Sequence, residues 1–145
     1  MTGMLTRYER LVAAGELRSD PDQRRAAERL DRLQKDLEAE SSGGLLSQLF
    51  RARKANPQGV YMWGGVGRGK SMLMDLFVET LGIDEKRRVH FHEFMLEVDR
   101  RIRERRESDP GDPTGKVARD IAQDVRCLAF DEMVVNNTAD AAIMA

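Results

Sequence analysis

The chain of 145 residues holds one cysteine, Cys127, so no disulfide can form within it, and a reducing cytosol is the matching compartment. Aromatic residues make up only 6%, so the core must be built from Leu, Val, Ile and Met. Neither sign of charge dominates. Lys and Arg number 24 against 25 Asp and Glu, a formal net charge of −1, which gives no global basic excess for nucleic acid. No run approaches 18 apolar residues, so no membrane-spanning helix is expected. The start, MTGMLTRYERLVAAGEL, lacks an apolar segment and carries Glu9 and Glu16, so neither a signal peptide nor a transit peptide is expected. No internal repeat occurs. What is present, 41% hydrophobic and 34% charged residues, describes one charge-rich globular domain.

Helical spacing of Leu5, Tyr8, Leu11 and Val12 predicts a helix over 4–14 that stops at Gly15. Ser19 or Asp20 caps the next helix, with Pro21 in its first turn, and an apolar stripe of Ala26, Leu30, Leu33 and Leu37 runs to about Glu40. This helix reads as packed on the domain by one face; a coiled-coil dimer would need more heptads than it has. SSGG at 41–44 breaks it, a short helix is expected over 45–54, and ANPQG is a loop. VYMW at 60–63 reads as a short buried strand, 70–80 as a helix turning Leu73, Leu76 and Phe77 inward, and RRVHFH at 87–92 as a second strand. Residues 93–107 are helical with Phe94, Val98 and Ile102 on one seam, SDPGDPTG at 108–115 is a loop, 116–124 a helix and VRCLAF at 125–130 a third strand. The alternation from residue 57 predicts an α/β fold: a parallel sheet with flanking helices, preceded by a helical segment. The expected division is 1–55 for that segment and 56–145 for the nucleotide-binding part.

The stretch GGVGRGKS satisfies G-x-x-x-x-G-K-[ST] through Gly64, Gly69, Lys70 and Ser71. Its glycines open backbone conformations in which successive N–H groups face one anion. The helix beginning near Gly69 adds unpaired N–H groups and the positive end of its dipole. Lys70 suits the β- and γ-phosphates, and Ser71 offers a hydroxyl to Mg²⁺. A chance match in such a chain is roughly 1 in 200 at average composition, and here an apolar run precedes it and an amphipathic run follows. The expected nucleotide-binding stretch is Gly64, Gly65, Val66, Gly67, Arg68, Gly69, Lys70, Ser71 and Met72, in which Arg68 holds a variable position and reads most simply as a solvated charge.

CLAFDE places Asp131 and Glu132 at the carboxyl end of an apolar strand, where open parallel sheets bind ligands. Asp131 is expected to hold Mg²⁺ through its water shell and Glu132 to polarise a water for in-line attack on the γ-phosphate. Such a Glu suits an NTPase better than a small-molecule kinase, which activates no water. His90 and His92 are expected on one face of the second strand, as structural or partner-facing residues, since no Cys or third ligand stands near. Cys127 reads as a small buried apolar residue. The arginines of DRRIRERRES (99–108) alternate with Asp99, Glu104 and Glu107, which reads as an internally paired, solvated helix face.

GVYMWGGVGRGKSMLMDLF, KRRVHFHEFMLEVDRRI and CLAFDE…ADA together resemble the AFG-like ATPases, the ZapE family in bacteria, within the AAA+ class; YERLVAAGELRSDPDQ resembles the family's start. The resemblance implies an AAA+ nucleotide-binding domain, ATP and Mg²⁺ as cofactors, a homo-oligomeric ring, a cytoplasmic bacterial setting, and action on protein partners in cell division or protein quality control; the charge balance adds that no nucleic-acid partner is expected. It implies that Gly67, Gly69, Lys70 and Ser71 bind phosphate and Mg²⁺ and that Asp131 and Glu132 serve hydrolysis. It further places Phe94 and Met95 where related ATPases grip a polypeptide, and Gln23 in a segment that approaches the adenine. MVVNNTADAA stands where FQVTDIADAM is commoner, which changes Met133–Thr138. The family's sheet has five strands in the order 5-1-4-3-2, of which three are expected here. The chain is therefore expected to be an N-terminal portion, inactive by itself. The alternative is an AAA+ nucleotide switch or helicase-loader module without turnover of its own.

Overall fold

A computed structural model describes residues 3–41, 57–62 and 69–132. The chain divides into two compact units, Met1–Asp84 and Glu85–Ala145. The expected boundary at residue 55, the helix expected over 45–54 and the segment Met133–Thr138 lie outside the described residues.

In the first unit, α1 spans Met4–Ala13, α2 Pro21–Ser41 and α3 Gly69–Thr80. The stop of α1 is local chemistry. Gly15 takes φ 77°, its N–H donates to the Val12 carbonyl, and the Glu16 N–H reaches back to Leu11, the paired bonds that close a helix through a left-handed residue. Asp20 starts α2, with its carboxylate accepting from the Asp22 N–H at 2.7 Å and the Gln23 N–H at 3.4 Å while Pro21 occupies the first helical position. The buried face of α2 keeps Leu30 and Leu37 of the predicted stripe but is rotated away from Ala26 and Leu33. Ala27, Leu30, Asp31, Gln34 and Leu37 are buried, whereas Ala26 and Leu33 are only half-buried.

The reason is visible in the hydrogen bonds. Gly3 gives α1 no side-chain cap. The first free N–H groups of α1 are satisfied from α2 instead: Met4 donates to Gln34 Oε1 at 2.8 Å and Leu5 to Asp31 Oδ1 at 3.1 Å. Gln34 Nε2 donates in turn to the Thr80 carbonyl at 3.0 Å, and Glu38 accepts from the Gly82 N–H at 2.8 Å, so the same face of α2 also finishes α3. Helix α3 turns Leu73, Leu76 and Phe77 into the core as expected; each large apolar side chain removed from water contributes about 1.5–3 kcal/mol.

The stretch expected as a strand at 60–63 is a correction over its described part. Residues 60–62 carry no strand, and Tyr61 is 69% exposed. An apolar run becomes a strand only beside a partner that takes up its N–H and C=O groups, and no described strand lies against it.

In the second unit, β1 (Lys86–His90), α4 (Phe91–Ser108), α5 (Pro113–Asp124) and β2 (Cys127–Asp131) follow one another, and β1 and β2 pair in parallel. The crossover through two helices is what a parallel pair requires. Helix α4 begins at Phe91, so the strand ends at His90, two residues short of the expected end at His92. The competing period wins: Phe91, Phe94, Met95, Val98 and Ile102 fall on one helical stripe, and all five are buried. His92 is therefore an exposed first-turn residue of α4, not a strand neighbour of His90 on a shared face. Helix α5 starts earlier than expected because Asp112 caps it, accepting from the Gly115 N–H at 3.1 Å, with Pro113 next. Phe130 of β2 packs against Phe91 and Phe94 with ring centroids 5.7 and 4.8 Å apart.

Candidate functional site

Gly69, Lys70, Ser71 and Met72 form the first turn of α3. This turn carries no acidic residue to oppose an anion, at the end of the helix where the dipole favours negative charge. Ser71 is exposed; Gly69, Lys70 and Met72 are half-buried. Gly64, Gly65, Val66, Gly67 and Arg68 lie outside the described residues. Gln23, in the first turn of α2, comes to this same helix start. A Cβ on Gly69 would fall well within 3.0 Å of Gln23 Nε2, so the carboxamide lies directly against the glycine backbone. Gln23 Oε1 is buried with no hydrogen-bond partner among the described residues. Helix α3 is braced at its far end by Gln34 and Glu38 and by an Arg7–Glu79 ion pair of 3.6 Å to α1.

Asp131 and Glu132 belong to the second unit. Asp131 is the last residue of β2, in register with His90 of β1. Arg88 Nη2 stands 3.0 Å from Asp131 Oδ2, and His90 Nδ1 3.9 Å from the same oxygen. Glu132 is exposed and takes φ 52°, a left-handed conformation that a residue with a side chain seldom adopts. Such backbone strain costs about 1–3 kcal/mol and clusters where geometry serves function. The strand end thus changes direction at the residue expected to activate water.

The sequence-predicted residues thus fall into two groups: Gln23 with Gly69–Met72 in one unit, and Asp131 with Glu132 in the other. Phe94 and Met95 are a correction. They are 8% and 4% exposed within the core seam of α4, so they present no surface to a polypeptide. The exposed large apolar residue of that helix is Leu96, at 55%. The arginine-rich face of α4 is paired in part as expected: Arg100 meets Glu104 at 3.3 Å, whereas Arg101 meets Glu97 one turn back at 2.7 Å and Arg105 meets Asp120 of α5 at 3.1 Å. The Arg87 guanidinium beside Glu97 holds that carboxyl below the usual range, outweighing the opposing effect of burial. Burial pushes the Cys127 thiol up, in keeping with an unreactive, partly buried cysteine. Arg88 was missed in the sequence; its spacing of two from His90 on a strand was the signal that could have found it.

Among the described residues no group of three or more His, Cys, Asp or Glu could cage a metal. Ser71 in the first unit and Asp131 in the second each offer a hard oxygen donor, the kind that Mg²⁺ takes one or two of while it keeps its waters. No described helix is long and apolar enough to cross a membrane.

The AFG1-like ATPase family profile matches residues 2–145. Lactation elevated protein 1 homolog B of Danio rerio is 32% identical over 191 residues, covering 97% of this chain and 38% of that protein. Cell division protein ZapE of Escherichia coli K12 is 32% identical over 151 residues, covering 96% of this chain and 40% of that one. A protein of Schizosaccharomyces pombe described as uncharacterized protein C115.02c is 29% identical, with 94% and 37% covered. The chain therefore spans about two fifths of the length of the curated relatives it matches. No solved structure matches. The family implies a P-loop NTPase, and the helix-rich described part with its two-stranded parallel sheet is compatible with part of such an α/β fold. With a family profile covering residues 2–145 and relatives at about a third identity, the chain belongs to the AFG1-like ATPases.

Proposed function

We propose that the protein binds ATP with Mg²⁺ and that the whole protein, rather than residues 1–145 alone, hydrolyses it. The observation that carries this reading is the Gly69-Lys70-Ser71 turn opening α3 without an opposing acid, in a member of an ATPase family. In this reading Gly64–Gly69 cradle the phosphates, Lys70 binds the β- and γ-phosphates as a point charge, and Ser71 and Asp131 hold Mg²⁺. When bound, Mg²⁺ neutralises charge developing on the phosphate oxygens. Glu132 takes the proton of the attacking water as general base. Gln23 Oε1, an acceptor without a partner among the described residues, suits the exocyclic amine of adenine. The free energy of hydrolysis acts on protein partners through a homo-oligomeric ring; a role in cell division is suggested by the name of the ZapE relative.

The test is calorimetry on the full-length protein. Lys70→Ala is expected to weaken ATP binding by more than about tenfold, since one charge-assisted contact contributes about 1.5–3 kcal/mol. Unchanged affinity would remove the phosphate-loop assignment.

A further inference from the structure

Where β1 and β2 end side by side, three side chains converge on one face of the sheet. Arg88 and His90 are two residues apart on β1 and so share a face, and the register sets His90 beside Asp131. Asp131 Oδ2 is the common focus, 3.0 Å from the Arg88 guanidinium and 3.9 Å from His90 Nδ1. The pair is partly enclosed: the side chains of Arg88 and Asp131 are 24% and 20% exposed, whereas His90 is 62% exposed.

We propose that Arg88 is a positioning residue for Asp131, competing with the divalent cation for its carboxylate; the inference rests on the reading of Asp131 as a holder of Mg²⁺. A guanidinium within hydrogen-bonding distance fixes the carboxylate plane by a charge-assisted bond to one oxygen. A cation approaching that oxygen must displace the guanidinium. One approaching the other oxygen meets a fixed positive charge a few ångströms away, in a setting less screened than open water. By itself, then, the protein binds a divalent cation poorly at Asp131. The phosphates of a nucleotide add the negative charge that tips the competition, so metal and nucleotide arrive together. Arg88 makes metal loading depend on nucleotide, and it holds Asp131 in one orientation until then. Neither role requires Arg88 to touch the reacting atoms.

The experiment is a titration of the full-length protein with Mn²⁺ in the absence of nucleotide, with free Mn²⁺ read by electron paramagnetic resonance. Arg88→Met and Arg88→Gln, two neutral variants of different shape, are expected to bind Mn²⁺ about fivefold more tightly than the parent, near the upper end for a partly exposed ion pair. Arg88→Lys keeps the charge and is expected to stay within about twofold of the parent. Adding Asp131→Asn to either neutral variant is expected to cancel the gain, and saturating ATP is expected to shrink the difference between parent and neutral variants. Unchanged or weaker Mn²⁺ binding in both neutral variants, with Asp131→Asn still lowering affinity in the parent, overturns the role of Arg88 and leaves Asp131 as a ligand. If Asp131→Asn changes Mn²⁺ affinity in neither background, the metal role of Asp131 fails, and the inference with it.

Discussion

In the unit Met1–Asp84, two polar side chains, Asp31 and Gln34, lie inside at 6% and 2% exposure; in the unit Glu85–Ala145, every buried described residue is apolar. The described regular elements of the first unit are helices alone, whose ends leave backbone groups in need of partners. Gln34 and Asp31 of α2 supply those partners for α1, and Gln34 and Glu38 for the end of α3. The second unit pairs its strands, caps α5 with its own Asp112, and so can afford an interior of Phe, Met, Val and Ile. Its charges stay outside that interior, in ion pairs along α4 and at the strand ends, where Arg88 meets Asp131. Polar side chains go inside where backbone ends need them and collect at the strand ends where chemistry is expected.

The largest expected effect on stability comes from the apolar seam. Phe91→Ala removes a side chain that is 2% exposed and is expected to cost about 3–5 kcal/mol in chemical denaturation. Gln34→Leu, apolar and of similar volume, asks whether the buried amide of the other unit matters as a cap. It leaves the Met4 N–H and the Thr80 carbonyl without their partner, and a loss of about 2–4 kcal/mol is expected. A neutral or stabilising Gln34→Leu would show the amide to be a passive occupant of the core.

The smallest effect is in pH. Burial pushes the Asp31 carboxyl up, but its bonds to Lys35 and the Leu5 N–H, with the Lys35 charge, outweigh burial and hold it below the ordinary value. A carboxyl held low in the folded state stabilises fully above its unfolded value near 3.9 and loses that contribution as pH falls through the folded value. Glu97, also held low, follows the same sign. Stability is therefore expected to fall as the pH drops below about 4–5, and Asp31→Asn to flatten that decline. A decline of undiminished slope in Asp31→Asn would assign acid sensitivity elsewhere.

Much of this was legible in the sequence because the signals were local. Gly15, Asp20 with Pro21, and the inward face of α3 act within a few residues of themselves, and each stands where the spacing placed it. Residues 60–62 were misread because a strand is made by its partner and not by its own apolarity. The rotated stripe of α2 was hidden because periodicity counts apolar residues, and Asp31 and Gln34 are buried for their hydrogen bonds. Helix α4 was legible in part: Phe91, Phe94 and Met95 already fit the helical period, but the alternation of RRVHFH masked the boundary. The contact role of Phe94 and Met95 came from the resemblance alone, whereas the helical seam already read for Phe94 is the core position it takes. Of the candidate site, the motif residues were legible by type, whereas the Gln23–Gly69 approach and the Arg88–Asp131 pair depend on contacts across 46 and 43 positions, which no local pattern encodes.

In the proposed reading this chain carries the hydrolytic residues of an ATPase site, Asp131 and Glu132, as well as the phosphate-binding ones. The test is Glu132→Gln in the full-length protein, with ATP affinity and steady-state phosphate release measured on the same preparation. Loss of a general base is expected to lower turnover by roughly 10²–10⁴-fold while leaving affinity within a few-fold of the parent. A variant that keeps most of its turnover would contradict the account, because some other residue would then activate the water.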